Sequence, residues 1–217
     1  MALALFDLDN TLLAGDSDYL WGMFLAEQGI VDRNSYEQEN QRYYDAYKAG
    51  TLDIYEFLAF SLKPLAENDI GLLHELHQRF MAEKIRPIMR QPAFDLIEKH
   101  RAAGDTLVVI TATNSFVTTP IVKAFGIDNL LATEPEMNSH GYTGRVSGIP
   151  CFQNGKVTRL QSWLNQHQLN LQGSWFYSDS HNDLPLLWEV EHPVAVDPDT
   201  QLAQVARENN WPVISLR

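Results

Sequence analysis

Asp7-Leu8-Asp9-Asn10-Thr11-Leu12-Leu13 follows without a break on the apolar run Ala2-Leu3-Ala4-Leu5-Phe6, and this juncture decides how the rest of the chain is read. The run predicts a buried strand with two carboxylates at its end. Side chains alternate with period two along a strand, so Asp7 and Asp9 are expected on one side with Leu8 turned into the protein. Two carboxylates so placed suit phosphoryl transfer. One can attack and form a covalent intermediate, splitting a difficult displacement into two easier ones, while the other protonates the leaving oxygen and later activates water. Taken alone, most Asp-x-Asp pairs are solvated turns or helix N-caps, so the remainder of the chain has to supply a site.

Three further segments do so. Leu107-Val108-Val109-Ile110-Thr111 is an apolar run closed by a hydroxyl, which predicts a buried parallel strand delivering Thr111 to its carboxyl end. Lys156, in Asn154-Gly155-Lys156-Val157-Thr158-Arg159-Leu160, falls where a loop gives way to helical spacing. A compact ammonium there suits a carboxylate or a phosphate, although an exposed first-turn lysine is the commoner case. Trp175-Phe176-Tyr177-Ser178-Asp179-Ser180-His181-Asn182-Asp183 reads as a strand followed by two acids spaced by four.

In this order the four segments resemble the motifs of the haloacid dehalogenase superfamily, and Asp7-x-Asp9-x-Thr11-Leu12 matches the first motif at every fixed position. The resemblance implies Asp7 as nucleophile and Asp9 as acid and base. Thr111 and the backbone N–H of Ala112 would hold phosphate oxygens, and Lys156 would serve Asp7 and the phosphate. It further implies a metal bound by carboxylate oxygens of Asp7 and Asp179 and by the backbone carbonyl of Asp9, with Asp183 and Asn182 around those ligands. Charge points the same way, because Asp7, Asp9, Asp179, Asp183 and a phosphate repel one another without a cation. Hard oxygen donors favour Mg²⁺. Ser178 stands where many relatives carry glycine. Dehalogenating members lack the second aspartate, so Asp9 indicates a phosphatase or phosphotransferase. A cation-pump ATPase is excluded by chain length and by the absence of a long apolar stretch.

Composition narrows the setting. With 217 residues and 45% apolar content, the chain can bury a substantial core, and one domain plus an insertion is expected. No stretch approaches the roughly 20 apolar residues that span a bilayer. The first apolar run is too short and lacks the basic start of a secretion signal. Cys151 is the single cysteine, so no internal disulfide forms and a reducing cytoplasm is the expected location. A formal charge of −12 argues against a nucleic-acid partner but not against a small phosphorylated metabolite, since the local field of such a site comes from Mg²⁺, Lys156 and strand-end amides. There is no internal repeat, and the oligomeric state is left open.

The span between Thr11 and Leu107 is too long for a structureless loop, since such loops seldom exceed about 15 residues. A helical cap over residues 15–87 is expected, inserted into an α/β core of residues 1–14 and 88–217. Asp16 or Asp18 can cap a first helix through Glu27, which stops at Gly29, and Asn34 can cap a second to Ala49 before Gly50. A third helix runs from Asp53 to Leu62, ended by Pro64, and a fourth from Asp69 to about Ile85, ended before Pro87. After a helix from Pro92 to His100, strands and helices alternate as in a doubly wound parallel sheet. Tyr142 to Pro150 reads as a hairpin arm beside the site, and His74 with His77 as a solvated helix face.

A cap between the first and second motifs resembles the subfamily that includes phosphoserine phosphatase. Asp16 stands where those enzymes place the glutamate that grips the substrate amine, although it can equally be a helix cap. Ala59 falls where their carboxylate-binding arginine is expected, and Thr111-Ala112-Thr113-Asn114 replaces their Ser-Gly-Gly. An amine-binding acid without a carboxylate clamp fits histidinol phosphate, whose ring cap tyrosines or tryptophans can stack upon. Thr111-Ala112-Thr113-Asn114 and Tyr177-Ser178-Asp179-Ser180 also look like bacterial members associated with hydrolysis of that ester. Phosphoserine, phosphoethanolamine and phosphocholine are the alternatives. A catalytically silent sensor of phosphorylated metabolites belongs to another class of function, and the full set of chemical positions speaks against it.

Overall fold

A computed structural model describes residues 2–217. The opening apolar run becomes β1 (Leu3–Phe6), buried along its whole length. Six more strands follow: β2 (Thr106–Asn114), β3 (Asn129–Asn138), β4 (Gly141–Ser147), β5 (Trp175–Ser178), β6 (His192–Val196) and β7 (Val213–Ile214). They form one sheet in the order β4-β3-β2-β1-β5-β6-β7. Every pairing is parallel except the β3/β4 hairpin, whose second strand covers Tyr142 to Ser147 of the expected arm.

Strands of a parallel sheet are covered on both faces, which is why they read as unbroken apolar runs. Period two then sorts their side chains. Ala4, Phe6, Val109 and Tyr177 join one core, while Leu3, Leu5, Val108, Ile110 and Phe176 join the other. Five helices follow β1: α1 (Ser17–Glu27), α2 (Arg33–Ala49), α3 (Ile54–Ser61), α4 (Lys63–Glu67) and α5 (Ile70–Phe80). Then come α6 (Gln91–Ala102), α7 (Ser115–Ala124), α8 (Asn154–His167), α9 (Leu184–Leu187) and α10 (Thr200–Glu208). Helices α6 and α7 cover the first face through Ala93, Ile97, Val117 and Ile121, whereas α8, α9 and α10 cover the second through Leu160, Leu186 and Leu202. The first core continues into Trp21 and Phe24 of α1 and Phe80 of α5. Among the described residues no helix is long and apolar enough to cross a membrane.

Several boundaries differ from the sequence reading, each for a local reason. The cap of α2 is Asp32 rather than Asn34, its carboxylate accepting the Ser35 N–H at 3.0 Å. Pro64 does not end α3 for good. It sits in the first turn of α4, where a helix needs no N–H. Beyond Phe80 the chain keeps coiling but widens over Met81–Ile85 and tightens over Arg86–Ile88. Strand β2 continues past Thr111 through a shift in register, and Asn114 then caps α7 by accepting the Val117 N–H at 3.2 Å. His77 is buried rather than solvated, its Nε2 lying 2.9 Å from the Val117 carbonyl and its ring beside Trp21.

The topology positions the site. From β1 the chain moves to β2 and β3 on one side and returns to β5 on the other, which makes the carboxyl ends of β1, β2 and β5 a switch-point crevice. Phe6 is level with Val109 and with Tyr177, so Asp7, Thr111 and Asp179 lie one or two residues beyond that line on adjacent strands.

Candidate active site

Asp7 leaves β1 still tied to the sheet, its N–H donating to the Tyr177 carbonyl at 2.9 Å. The next residues do not continue the strand. Leu8–Leu12 form a wide turn closed by Leu13 N–H on the Leu8 carbonyl at 2.9 Å, with Asn10 in the left-handed region at φ 57°. Asp9 therefore reaches the site through this turn and not through strand alternation. Leu8 and Leu12 bury themselves beneath it.

Lys156 Nζ donates to Asp7 Oδ1 at 2.8 Å and stands 2.7 Å from Asp183 Oδ1. The three residues are 3%, 5% and 3% exposed, so this is a buried lysine held between two buried carboxylates, the opposite of a solvated first-turn residue. Burial pulls its ammonium down, but Asp183 and Asp7 more than compensate and raise it above the ordinary lysine range. Asp183 also accepts the Ser178 hydroxyl at 2.7 Å. Helix α8 can bring Lys156 inward because Gly155 has no side chain: a Cβ there would stand 2.0 Å from the Pro150 carbonyl oxygen.

Asp9 is anchored separately. Its Oδ1 accepts the Ser17 N–H at 2.6 Å, and its Oδ2 accepts the Thr113 hydroxyl at 2.7 Å, with the Thr111 hydroxyl farther off at 3.5 Å. Burial, then the charge of Asp16, pushes its carboxyl up to about 6 against the bonds from Ser17 and Thr113. For Asp7, burial together with Asp183 and Asp9 outweighs Lys156 and lifts the carboxyl to about 7. Thr11 links Asp7 to Asp179. Its hydroxyl accepts the Asp179 N–H at 3.1 Å and lies 3.2 Å from Asp7 Oδ2 and 3.1 Å from Asp179 Oδ1. A hydroxyl has one proton, so it satisfies one carboxylate at a time. Burial, then the charges of Asp7 and Asp183, raises Asp179 well above the usual range.

The site brings together four carboxylates with one ammonium, which contacts only Asp7 and Asp183, and beyond burial the repulsion from neighbouring acids helps to raise Asp7, Asp9 and Asp179. A hard divalent cation is the group that relieves it. Among the described residues, no three Asp, Glu, His or Cys side chains converge to chelate a metal unaided. Two carboxylates with a peptide carbonyl and waters suit Mg²⁺, which keeps much of its hydration.

Asp7, Asp9, Asp16, Thr111, Ala112, Lys156 and Asp183 line one cleft, walled by aromatic residues of α2 and α3 such as Tyr43, Tyr44 and Phe57. Asp179 instead lines an adjoining cleft with His181 and Asp199; the two clefts share Tyr44 and Tyr47. Asn182 lines neither. It accepts from Gln153 Nε2 at 3.0 Å and donates to the Tyr47 carbonyl at 3.1 Å, joining the turn before α8 to the end of α2. Asp16 caps α1, accepting the Tyr19 N–H at 2.9 Å, and lines the cleft as well. Ala59 is exposed, and Lys156 is the one cationic side chain on the cleft among the described residues. Three hydroxyls that organise the acids, those of Thr11, Thr113 and Ser178, had no assigned role in the sequence reading. Thr113 was findable, because it follows Thr111 by two on a strand.

A model of the haloacid dehalogenase-like hydrolase family matches residues 4–187. A histidinol-phosphatase of Neisseria meningitidis serogroup C (strain 8013) is 45% identical over 219 residues, covering 99% of each chain. The crystal structure of a protein of unknown function from Bordetella pertussis Tohama I superposes with a TM-score of 0.94 at 44% identity, over 100% of this chain and 99% of that one. A phosphoserine phosphatase solved as a phospho-aspartyl intermediate analogue has a TM-score of 0.73 over 100% and 93% of the two chains. At 18% identity that likeness is one of fold.

Proposed function

We propose that this chain, which belongs to the haloacid dehalogenase-like hydrolase family and is a phosphatase, hydrolyses histidinol phosphate through an aspartyl-phosphate formed on Asp7. The observation that carries the chemistry is the buried Asp7–Lys156–Asp183 chain with a separately anchored Asp9 on the same cleft. Full-length identity to a histidinol-phosphatase supports the substrate. So does the cleft, which offers acids and aromatic rings but no cation apart from Lys156 to meet a substrate carboxylate.

In this reading Asp7 attacks phosphorus and the P–O bond to the alcohol breaks. Asp9 gives its proton to the leaving oxygen; a carboxyl near 6 retains protonated population near neutrality, as a general acid requires. Asp9 then takes a proton from water as that water attacks phosphorus, releasing inorganic phosphate and restoring Asp7. Thr111, the Ala112 N–H and Lys156 hold the phosphate oxygens, with Asp183 fixing Lys156. Asp7, Asp179 and the Asp9 carbonyl would hold Mg²⁺, whose charge offsets that of the phosphate, and Asp183 and Asn182 would stand around it. Residues 15–87 act as a helical cap above a core of residues 1–14 and 88–217.

Phosphate release measured across histidinol phosphate, phosphoserine, phosphoethanolamine and phosphocholine tests the assignment. Histidinol phosphate should exceed phosphoserine in kcat/KM by about tenfold to a hundredfold, since a buried carboxylate left unpaired costs about 1–3 kcal/mol. A preference for phosphoserine would overturn the substrate and leave the phosphatase chemistry standing.

A further inference from the structure

Two acids near the start of α1 line the cleft, and they are held differently. One oxygen of Asp16 is engaged as the N-cap of α1. Asp18, in the first turn of the same helix, receives no hydrogen bond from the described residues. Burial, then the charges of Asp16 and Asp9, holds its carboxyl well above the usual range. A carboxylate in the first turn gains about 0.3–1 kcal/mol from the helix dipole when it points to water. Asp18 faces a cleft that already contains Asp16 and Asp9, so the dipole alone is a weak reason for an acid at this position.

The cleft is charged at its two ends, with aromatic and apolar walls between them. At the strand ends, Lys156, Thr111 and the Ala112 backbone face the reacting group; near the start of α1, two carboxylates stand among Tyr19 and Tyr44. Lys156 cannot serve the distal acids, because its ammonium is engaged by Asp7 and Asp183. A ligand that satisfies both ends carries a phosphate at one end and proton-bearing nitrogens on a flat group at the other.

We propose that Asp18 is a specificity-determining residue that accepts a hydrogen bond from a second nitrogen of the substrate, a ring N–H, while Asp16 receives the ammonium. The class of substrate is thereby narrowed to phosphomonoesters with two proton-bearing nitrogens, one of them in an aromatic ring. This rests on the phosphatase reading above and sharpens its substrate.

The experiment compares kcat/KM for histidinol phosphate, phosphoethanolamine and 4-nitrophenyl phosphate, which carry two, one and no such nitrogens, in wild type, Asp18→Asn and Asp18→Leu. Asp18→Leu should lower the value for histidinol phosphate about tenfold to a hundredfold more than that for phosphoethanolamine, chiefly through KM. Asp18→Asn should fall between, because its amide oxygen still accepts. Histidinol used as a competitive inhibitor should weaken in the same order. Both variants should melt at or above wild type without ligand, because an unpartnered acid repelled by its neighbours has been removed. Equal losses on all three substrates, or a fall in melting temperature matched by equal losses, would overturn the role given to Asp18. A wild-type enzyme indifferent among the three substrates would instead overturn the substrate reading on which it rests.

Discussion

Replacing Lys156 with methionine keeps the apolar stem and removes the ammonium on which Asp7 and Asp183 both depend, at 2.8 and 2.7 Å. All three residues are at most 5% exposed, so solvent cannot take over. Removing one partner of a buried ion pair costs about 3–5 kcal/mol. Two carboxylates lose a partner here, but the costs do not add. Asp7 is already lifted to about 7 and can take up a proton, and Asp183 keeps the Ser178 hydroxyl. For a chain of this size each kcal/mol moves the melting temperature by about 2–4 °C, which predicts a fall of about 6–20 °C. Turnover should drop by about a hundredfold to a thousandfold, the usual effect of deleting one donor to a developing negative charge. Calorimetric melting and phosphate release measure the two effects. The double variant Lys156→Met/Asp183→Asn separates them further, since it removes one of the stranded acids and should melt above Lys156→Met. A single variant melting within about 2 °C of wild type, or a double variant no more stable than the single, would refute the charge balance described here.

Asp7→Asn should abolish turnover, and Asp9→Asn should lower it by about 10²- to 10⁴-fold in steady-state assays; more than a few per cent of activity in a deamidation-free Asp7→Asn preparation would exclude Asp7 as nucleophile. Chelation should silence the enzyme, Mg²⁺ should restore it and Ca²⁺ should not, because calcium takes more oxygens at longer distances; full activity after metal stripping in excess chelator would contradict the donor set. His77 gives a pH dependence outside the site. Burial, foremost, holds its imidazole below the ordinary 6.5, so the folded state keeps it neutral; its contribution is intact above that value and is lost as pH falls below it toward the folded value. Wild type should therefore lose melting temperature more steeply than His77→Gln between about pH 7 and about pH 5, and parallel curves would show that His77 does not titrate with unfolding.

The sheet was legible because its strands obey burial on both faces. Leu3 to Phe6, Leu107 to Ile110 and Trp175 to Tyr177 are apolar runs too short for helices, and each ends at a residue of the site. Helix starts were legible where an acid is followed by helical spacing, as at Asp16, Asp53 and Asp69, each of which accepts a backbone N–H. Asn34 failed because Asp32, two residues earlier, competes for the same role and caps through Ser35. The fourth helix was expected to hold one pitch to Ile85. It widens after Phe80 instead, between Phe80 and Ile85 of the first core, a change that periodicity in one segment does not report.

The site was legible to the extent that its groups lie on separate strand ends, and obscure where one group reaches another through a third. Asp7, Asp9, Lys156 and Asp183 are named by motif, but the motif is silent on what holds them. Thr11 between Asp7 and Asp179, Thr113 on Asp9 and Ser178 on Asp183 are short hydroxyls whose partners lie 168, 104 and 5 positions away. The first two partners come from distant segments, which no local pattern encodes, whereas Asp183 lies within local reach of Ser178. The same limit explains the two acids of α1. Position after the first motif singled out Asp16, and the structure gives that residue a cap to make. Asp18 was read only as a possible cap, and it is left without a donor in a cleft whose single ammonium is already engaged. An acid in that state is either met by the ligand or protonated, and the first of these is the role proposed for Asp18.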